Sequence, residues 1–267
     1  MTATPTPEVR EFIIVGQCQG TGYQLWDIEP APTNPARRAA VLEEIGVDAA
    51  DAFGSVNTEH GATAREAVEA FLADMRKQSG LDDYGLAEGS QTDKLDEPAA
   101  ATAHAAAAGG MATVTATVVP GLDSFGILGS HPADAGVSSQ RIHGGLIRGR
   151  FALPSGQITV RIDNHRNVAG TLDLAIACAV LATAGDIDRD ALGQVACIGE
   201  MGWDGYVESV YGIREAARTA HANGVRTILV PAAQATDVHD LRLGLDVIGV
   251  RHVREAADFL NRLAGGR

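Results

Sequence analysis

Hydrophobic and polar positions recur with two different periods along the 267 residues, and the switches between them mark the elements. The strongest signal falls at residues 172–184. There Leu172, Ala175, Ile176, Ala179 and Val180 recur at helical spacing, while Leu174, Ala177 and Leu181 are apolar as well. A helix that is apolar nearly all round has no face to offer water, so it must be buried. Thr171 stands where an N-cap belongs, Asp173 lies in the first turn beside the positive end of the helix dipole, and Gly185 supplies the stop. A strand-like run at residues 157–162 precedes this helix. Around the pair, the pattern predicts strands near 112–119, 124–128, 195–201, 227–231 and 247–250, and helices near 137–147, 212–223 and 254–263. Trp203, Asp204, Gly205 and Tyr206 read as a turn. Strands alternating with helices give an α/β layer structure.

The front of the chain reads as a small α/β module over residues 1–78. Residues 11–15 and 23–28 are strand-like and joined by a glycine-rich turn. Gly16, Gly20 and Gly22 do not fit the dinucleotide pattern G-x-G-x-x-G, and a strand pattern follows them where a helix should open. Pro30, Pro32 and Pro35 break the chain, residues 36–44 look helical, and 48–53 form a shorter segment. Thr63 and Glu66 fit a capping box, followed by an apolar face of Ala67, Val68, Phe71, Leu72 and Met75 through Lys77. Residues 79–110 shift to Asp, Glu, Gly and Ser and then to an alanine run, which predicts an acidic linker, helical in part of that run. The domain reading is therefore 1–78, 79–110 and 111–267.

Composition changes this picture in three places. Aromatic residues are only 4% against 45% hydrophobic, so the cores are built from Ala, Val, Leu and Ile in close helix–sheet contact. The net charge of −13 is uneven: residues 1–109 carry 18 Asp/Glu and 7 Lys/Arg, residues 110–267 carry 16 and 14. Such acidity disfavours nucleic acid as a partner, because affinity for the phosphate backbone rests on clustered positive charge. Cys18, Cys178 and Cys197 are too widely spaced for a zinc site or a disulfide framework, so no metal or cofactor is expected. Cys178 and Cys197 sit in apolar runs and read as small buried hydrophobes. No run of 18 apolar residues and no signal-peptide pattern is present, so a cytoplasmic chain without membrane contact is expected.

Several pieces recur in a familiar order. They are Gly121-Leu122 with Ser124-Phe125 and Ile127-Leu128-Gly129; Phe151 and Pro154 before Ile158-Thr159-Val160; and Leu172-Asp173-Leu174. Ile198-Gly199-Glu200-Met201, Asp204-Gly205, Gly212, Gly224, Ile228-Leu229-Val230-Pro231, Gly244-Leu245-Asp246-Val247 and Gly249-Val250-Arg251-His252-Val253 follow. From about residue 111 to 263 the chain resembles the N-terminal domain of ComM/YifB magnesium-chelatase-like proteins, and more distantly the RadA C-terminal domain and the Lon peptidase domain. The resemblance implies the ribosomal-protein-like α/β (α+β) fold of Lon-like domains, with a left-handed β-α-β crossover. It does not extend to the front module.

The resemblance also implies where catalysis would sit. The serine of Lon's Ser/Lys dyad falls near Thr171 and the lysine at Arg214. Arginine cannot act as a base in a protein, and no lysine occurs after Lys94, so the dyad is missing. No G-x-x-x-x-G-K-[ST] stretch exists either, which removes nucleotide hydrolysis by these residues. The expectation is a non-catalytic Lon-like protein that forms a homo-oligomer or docks on an ATPase in trans. Its candidate binding residues are Arg141, Arg148, Arg150, Arg161 and Arg166 around the start of the central helix, with Glu200 as a pocket residue. Two alternatives stand beside it: an accessory to DNA recombination or branch migration, as ComM and RadA imply, and a degenerate Lon-like hydrolase with a cleft at Thr171, Glu200 and Arg214. His131, Asp134, His143, Asp163 and His165 fall in one region but read as surface and loop residues.

Overall fold

The computed structural model describes residues 10–32, 35–52, 54–61, 63–92, 95, 99–107, 110–119, 122–129, 132–154, 156–163 and 170–265. They fall into two compact units, residues 1–98 and 99–267.

In the first unit, β1 (Arg10–Gln19) and β2 (Gly22–Pro30) form an antiparallel hairpin. β3 (Ser55–Gly61) pairs antiparallel with β1, and the short β4 (Gly85–Leu86) pairs parallel with β2, giving the order β3-β1-β2-β4. Alternation along β1 sends Phe12 and Ile14 into a cluster with Ala67, Val68, Phe71 and Leu72 of α2 (Ala64–Ser79). Ile13 and Val15 pack with Val41 and Ala49 of α1 (Pro35–Asp51). One helix thus covers each face of the sheet. Thr63 caps α2, its hydroxyl accepting from the Glu66 amide at 3.1 Å, and left-handed Gly80 closes it. The glycine-rich turn is narrower than its composition suggested, because β1 runs past a bulge at Val15/Gly16 to a tight turn at Gly20-Thr21. The helical segment 36–44 of the sequence reading runs on into most of the shorter segment after it as the single helix α1, and β3, which that reading did not contain, completes the sheet.

The second unit is built on a seven-stranded mixed sheet of order β13-β12-β9-β5-β6-β8-β7. Its strands are β5 (Ala99–Ala107), β6 (Gly110–Val119), β7 (Ser124–Leu128), β8 (Gln157–Asp163), β9 (Val195–Cys197), β12 (Thr227–Pro231) and β13 (Asp246–Val250). A separate two-stranded hairpin joins β10 (Glu200–Met201) to β11 (Val207–Glu208). The helices are α3 (Pro132–Arg148), α4 (Asp173–Thr183), α5 (Arg189–Leu192), α6 (Ile213–Ala222), α7 (Ala235–His239) and α8 (Val253–Gly265).

All eleven residues of α4 are buried, as its all-round apolar pattern requires. It lies on β5 and β6 and is enclosed by α3, α5 and α8. Alanines on both sides bring helix and sheet close together: Ala101, Ala103 and Ala105 of β5 and Ala112 and Ala116 of β6 share a core with Ala175, Ala179 and Ala182. The alanine run expected to be linker, helical in part, is therefore a central strand. β5 pairs antiparallel with β6 from Ala99↔Val118 to Ala107↔Gly110 and touches β9 in parallel at His104↔Ala196. On the other face α6 and α7 cover Ala106, Ala196, Ile198, Ile228 and Val230.

The N-cap of α4 is Leu172 and not Thr171, and no side chain caps it. Its first turn is held by backbone instead: the Gly199 amide donates to Thr171 O, and the Leu174 amide donates to Gly199 O, both at 3.0 Å. At the other end left-handed Gly185 lets the Asp186 amide reach back to Leu181 O at 3.0 Å, the expected stop. Among the described residues no helix is long and apolar enough to cross a membrane.

Candidate functional site

A charge inside an apolar helix has to be answered, and the answer to Asp173 organises the head of α4. Arg141 enters from α3 and donates from Nη2 to Asp173 Oδ2 at 2.6 Å. Its Nη1 is paired with Glu200 Oε1 at the start of β10. Asp173 Oδ2 also accepts from the Met201 amide at 3.3 Å. One guanidinium thus ties α3, α4 and the β10–β11 hairpin together through two carboxylates. Asp173 is 1% exposed and Glu200 31%. Burial pushes the Asp173 carboxyl up to about 6, against the opposing pull of the Arg141 charge and the hydrogen bonds it accepts.

Two glycines make this node possible. Gly199 lies where an added Cβ would come within 2.6 Å of Val207 Cγ1, so only glycine lets the chain between β9 and β10 pass this close to β11. Gly170, at φ +78°, would place a Cβ 2.6 Å from Glu200 Oε2. The carboxylate of Glu200 therefore fills the space that a side chain at position 170 would take.

The positions carried over from the Lon dyad do not meet in chemistry. Thr171 is buried, at 2% exposure, beneath this node. Arg214 is exposed on α6, and among the described residues no hydrogen bond joins the two. The arginine set also divides. Arg141 is consumed by the node, and Arg148 lies at the end of α3 with Nη1 donating to Trp203 O at 3.2 Å. Arg150 follows α3 in a left-handed conformation at φ 60°. Arg161 sits on the exposed face of β8, whose alternate residues Ile158, Val160 and Ile162 face α4, so it points away from the α3 arginines. Arg166 lies outside the described residues, as do His131 and His165, and Asp134 has no described side chain. His143 meets Phe125 edge-on with ring centroids 6.2 Å apart, and Asp163 ends β8. Among the described residues no three His, Cys, Asp or Glu side chains are placed to hold a metal ion.

Against this geometry, residues 114–234 match the family model described as subunit ChlI of Mg-chelatase. Over those residues, under half of its length, the chain is similar to ChlI. The matched residues run from β6 through α4 and the node to the turn after β12. A Lon protease from Roseiflexus castenholzii (strain DSM 13941 / HLO8) is 38% identical over 72 residues, which are 26% of this chain and 9% of that protease. The aligned stretch spans under a tenth of the relative's length. The resemblance to ComM/Lon-like domains and the mixed α/β class both stand on these matches and on the seven-stranded sheet.

The node itself was only half legible. Arg141 and Glu200 stood out in the sequence, whereas Asp173 was read as a complement to the helix dipole. The available signal was a carboxylate on a helix without a polar face, which demands a buried cation.

Proposed function

We propose that this chain is a non-catalytic ChlI/Lon-like protein of the cytoplasm that acts as an oligomerisation or partner-docking scaffold, with an ATPase in trans as the kind of partner it serves. One observation carries the reading. The head of α4, where a Lon-like dyad would work, is closed by the Arg141–Asp173–Glu200 node, with Glu200 filling the space beside Gly170. A nucleophile there would need a hydroxyl open to substrate and a base within hydrogen-bond reach. Thr171 has neither, since it is buried and its family partner position is an arginine on another surface. The node instead rigidifies the junction of three elements, which suits a surface presented to another protein. Incubation with a fluorogenic peptide and with labelled casein tests the reading: no turnover above buffer is expected. Turnover that persists through repeated purification and disappears in a Thr171→Ala variant would replace the scaffold with a degenerate hydrolase.

A further inference from the structure

Away from the α4 node, three pieces of the second unit converge on the turn between β10 and β11. The end of α3 approaches through Gly144 and Gly145. A Cβ at Gly145 would lie 2.8 Å from Gly202 O, and one at Gly144 would lie 3.3 Å from the Trp203 ring. The corner between β13 and α8 closes the other side, with the Val253 amide donating to Gly205 O at 2.9 Å and the Val207 amide to Arg251 O at 2.8 Å. His252 Nε2 lies 3.1 Å from Asp204 O, and its ring meets Tyr206 edge-on at 5.1 Å. The turn is thus a fixed platform, yet its two aromatic side chains face water: Trp203 is 49% exposed and Tyr206 55%. Ile147, the residue before Arg148 on α3, is exposed as well.

Four arginines surround this platform. Arg148 is anchored on Trp203 O, and Arg254 Nε donates to Gly149 O at 2.6 Å. Arg150 and Arg251 are exposed on the same two corners. Among the described residues none of the four has a carboxylate within ion-pair distance. Asp204, Glu208 and Glu255 stand among them, so in a chain of net charge −13 the patch keeps a slight positive excess next to exposed aromatic rings. It fits an anionic partner that also offers apolar groups, since guanidinium groups pair with carboxylates in bidentate fashion and aromatic anchors dominate docking energetics.

From this arrangement we propose that the β10–β11 turn, with the α3 end and the β13–α8 corner, docks an acidic protein segment carrying large apolar side chains. The proposal rests on the scaffold reading and gives it a surface and a partner chemistry. Carboxylates decide between an acidic peptide and a nucleic acid. Asp204, Glu208 and Glu255 are interspersed among the arginines; Asp204 accepts from the Tyr206 amide and Glu255 from the Arg251 amide. A phosphate chain carries charge at every step and would have to cross these carboxylates, whereas a peptide places its charges residue by residue.

The test uses the full chain and a short fluorescein-labelled peptide alternating glutamate and phenylalanine, followed by anisotropy at low and high salt. A lysine/phenylalanine peptide and a labelled oligothymidylate of matched length are the comparisons. Saturable binding of the acidic peptide is expected, weakened by about tenfold or more in an Arg150→Glu/Arg251→Glu variant and in Trp203→Ala. Absence of binding, binding indifferent to these substitutions, or preferential binding of the oligothymidylate overturns the proposal. Light scattering on the charge-reversed variant separates the levels of the argument. An unchanged mass with lost peptide binding supports docking. A mass that falls makes the surface a contact between copies, which overturns the docking assignment and leaves the scaffold reading standing.

Discussion

Arg141 holds two carboxylates at the head of a helix with no other charge, and its removal would strand Asp173 in an apolar core. Breaking one side of a buried pair costs about 3–5 kcal/mol, so Arg141→Met should lower the melting temperature of the second unit sharply. Adding Asp173→Leu to that variant should recover most of the loss, because the fully buried charge is gone and Glu200, which also loses its partner, is 31% exposed to water; differential scanning calorimetry reads both. Asp173 also sets a pH dependence. Its folded pKa of about 6 lies above the unfolded value, so the folded state holds the proton more tightly. That contribution is fully present below the unfolded pKa and is lost as pH rises through about 6, so stability should increase by about 1 kcal/mol from pH 7 to pH 5. An Asp173→Asn variant should lose this slope, and a slope unchanged in that variant would contradict the assignment. Glu11 of the first unit works in the opposite sense: its pKa is lowered first by the hydrogen bond from Arg38, and the stability it contributes is lost in acid.

At the scale of elements, the sequence pattern was readable wherever one face of an element differs from the other. α2, with its Thr63 cap and apolar stripe, and β8, with its strict alternation, are where the pattern placed them. β5 escaped because nine residues of Ala, Thr and His carry weak strand preference and no large apolar side chain. Its strand state comes from outside itself: β6 and β9 hydrogen-bond to it, and α4 needs a surface of small side chains to lie on. A chain shortened to residues 111–267 lacks the strand between β6 and β9 and should fail to fold, whereas residues 99–267 should fold with a cooperative melt. Circular dichroism of the two fragments checks this directly. β3 escaped for a related reason, since Asn57, Thr58, Glu59 and His60 give an edge strand too polar to announce a buried face. Thr171 was misplaced by one residue as a cap because the Gly199 backbone, far along the chain, takes over the work that a side-chain cap would do.

Across the whole molecule, charge and chemistry are distributed unequally. The acidic residues concentrate in the front of the chain, while in the second unit four arginines without an ion pair among the described residues, Arg148, Arg150, Arg251 and Arg254, lie around Trp203 and Tyr206. That second concentration could not be read from the sequence, where Arg148, Arg150, Arg251 and Arg254 lie about 100 residues apart in two pairs. The likeness to ChlI covers residues 114–234 and that to a Lon protease 72 residues, and the proposed scaffold role rests on the closed head of α4. The most direct test of that account is light scattering after size exclusion on the full chain at several concentrations and two ionic strengths. The account predicts a stable assembly of several copies, or a monomer that converts to a defined complex when an ATPase partner is added. A monomer throughout, forming no complex and hydrolysing peptide, would contradict it.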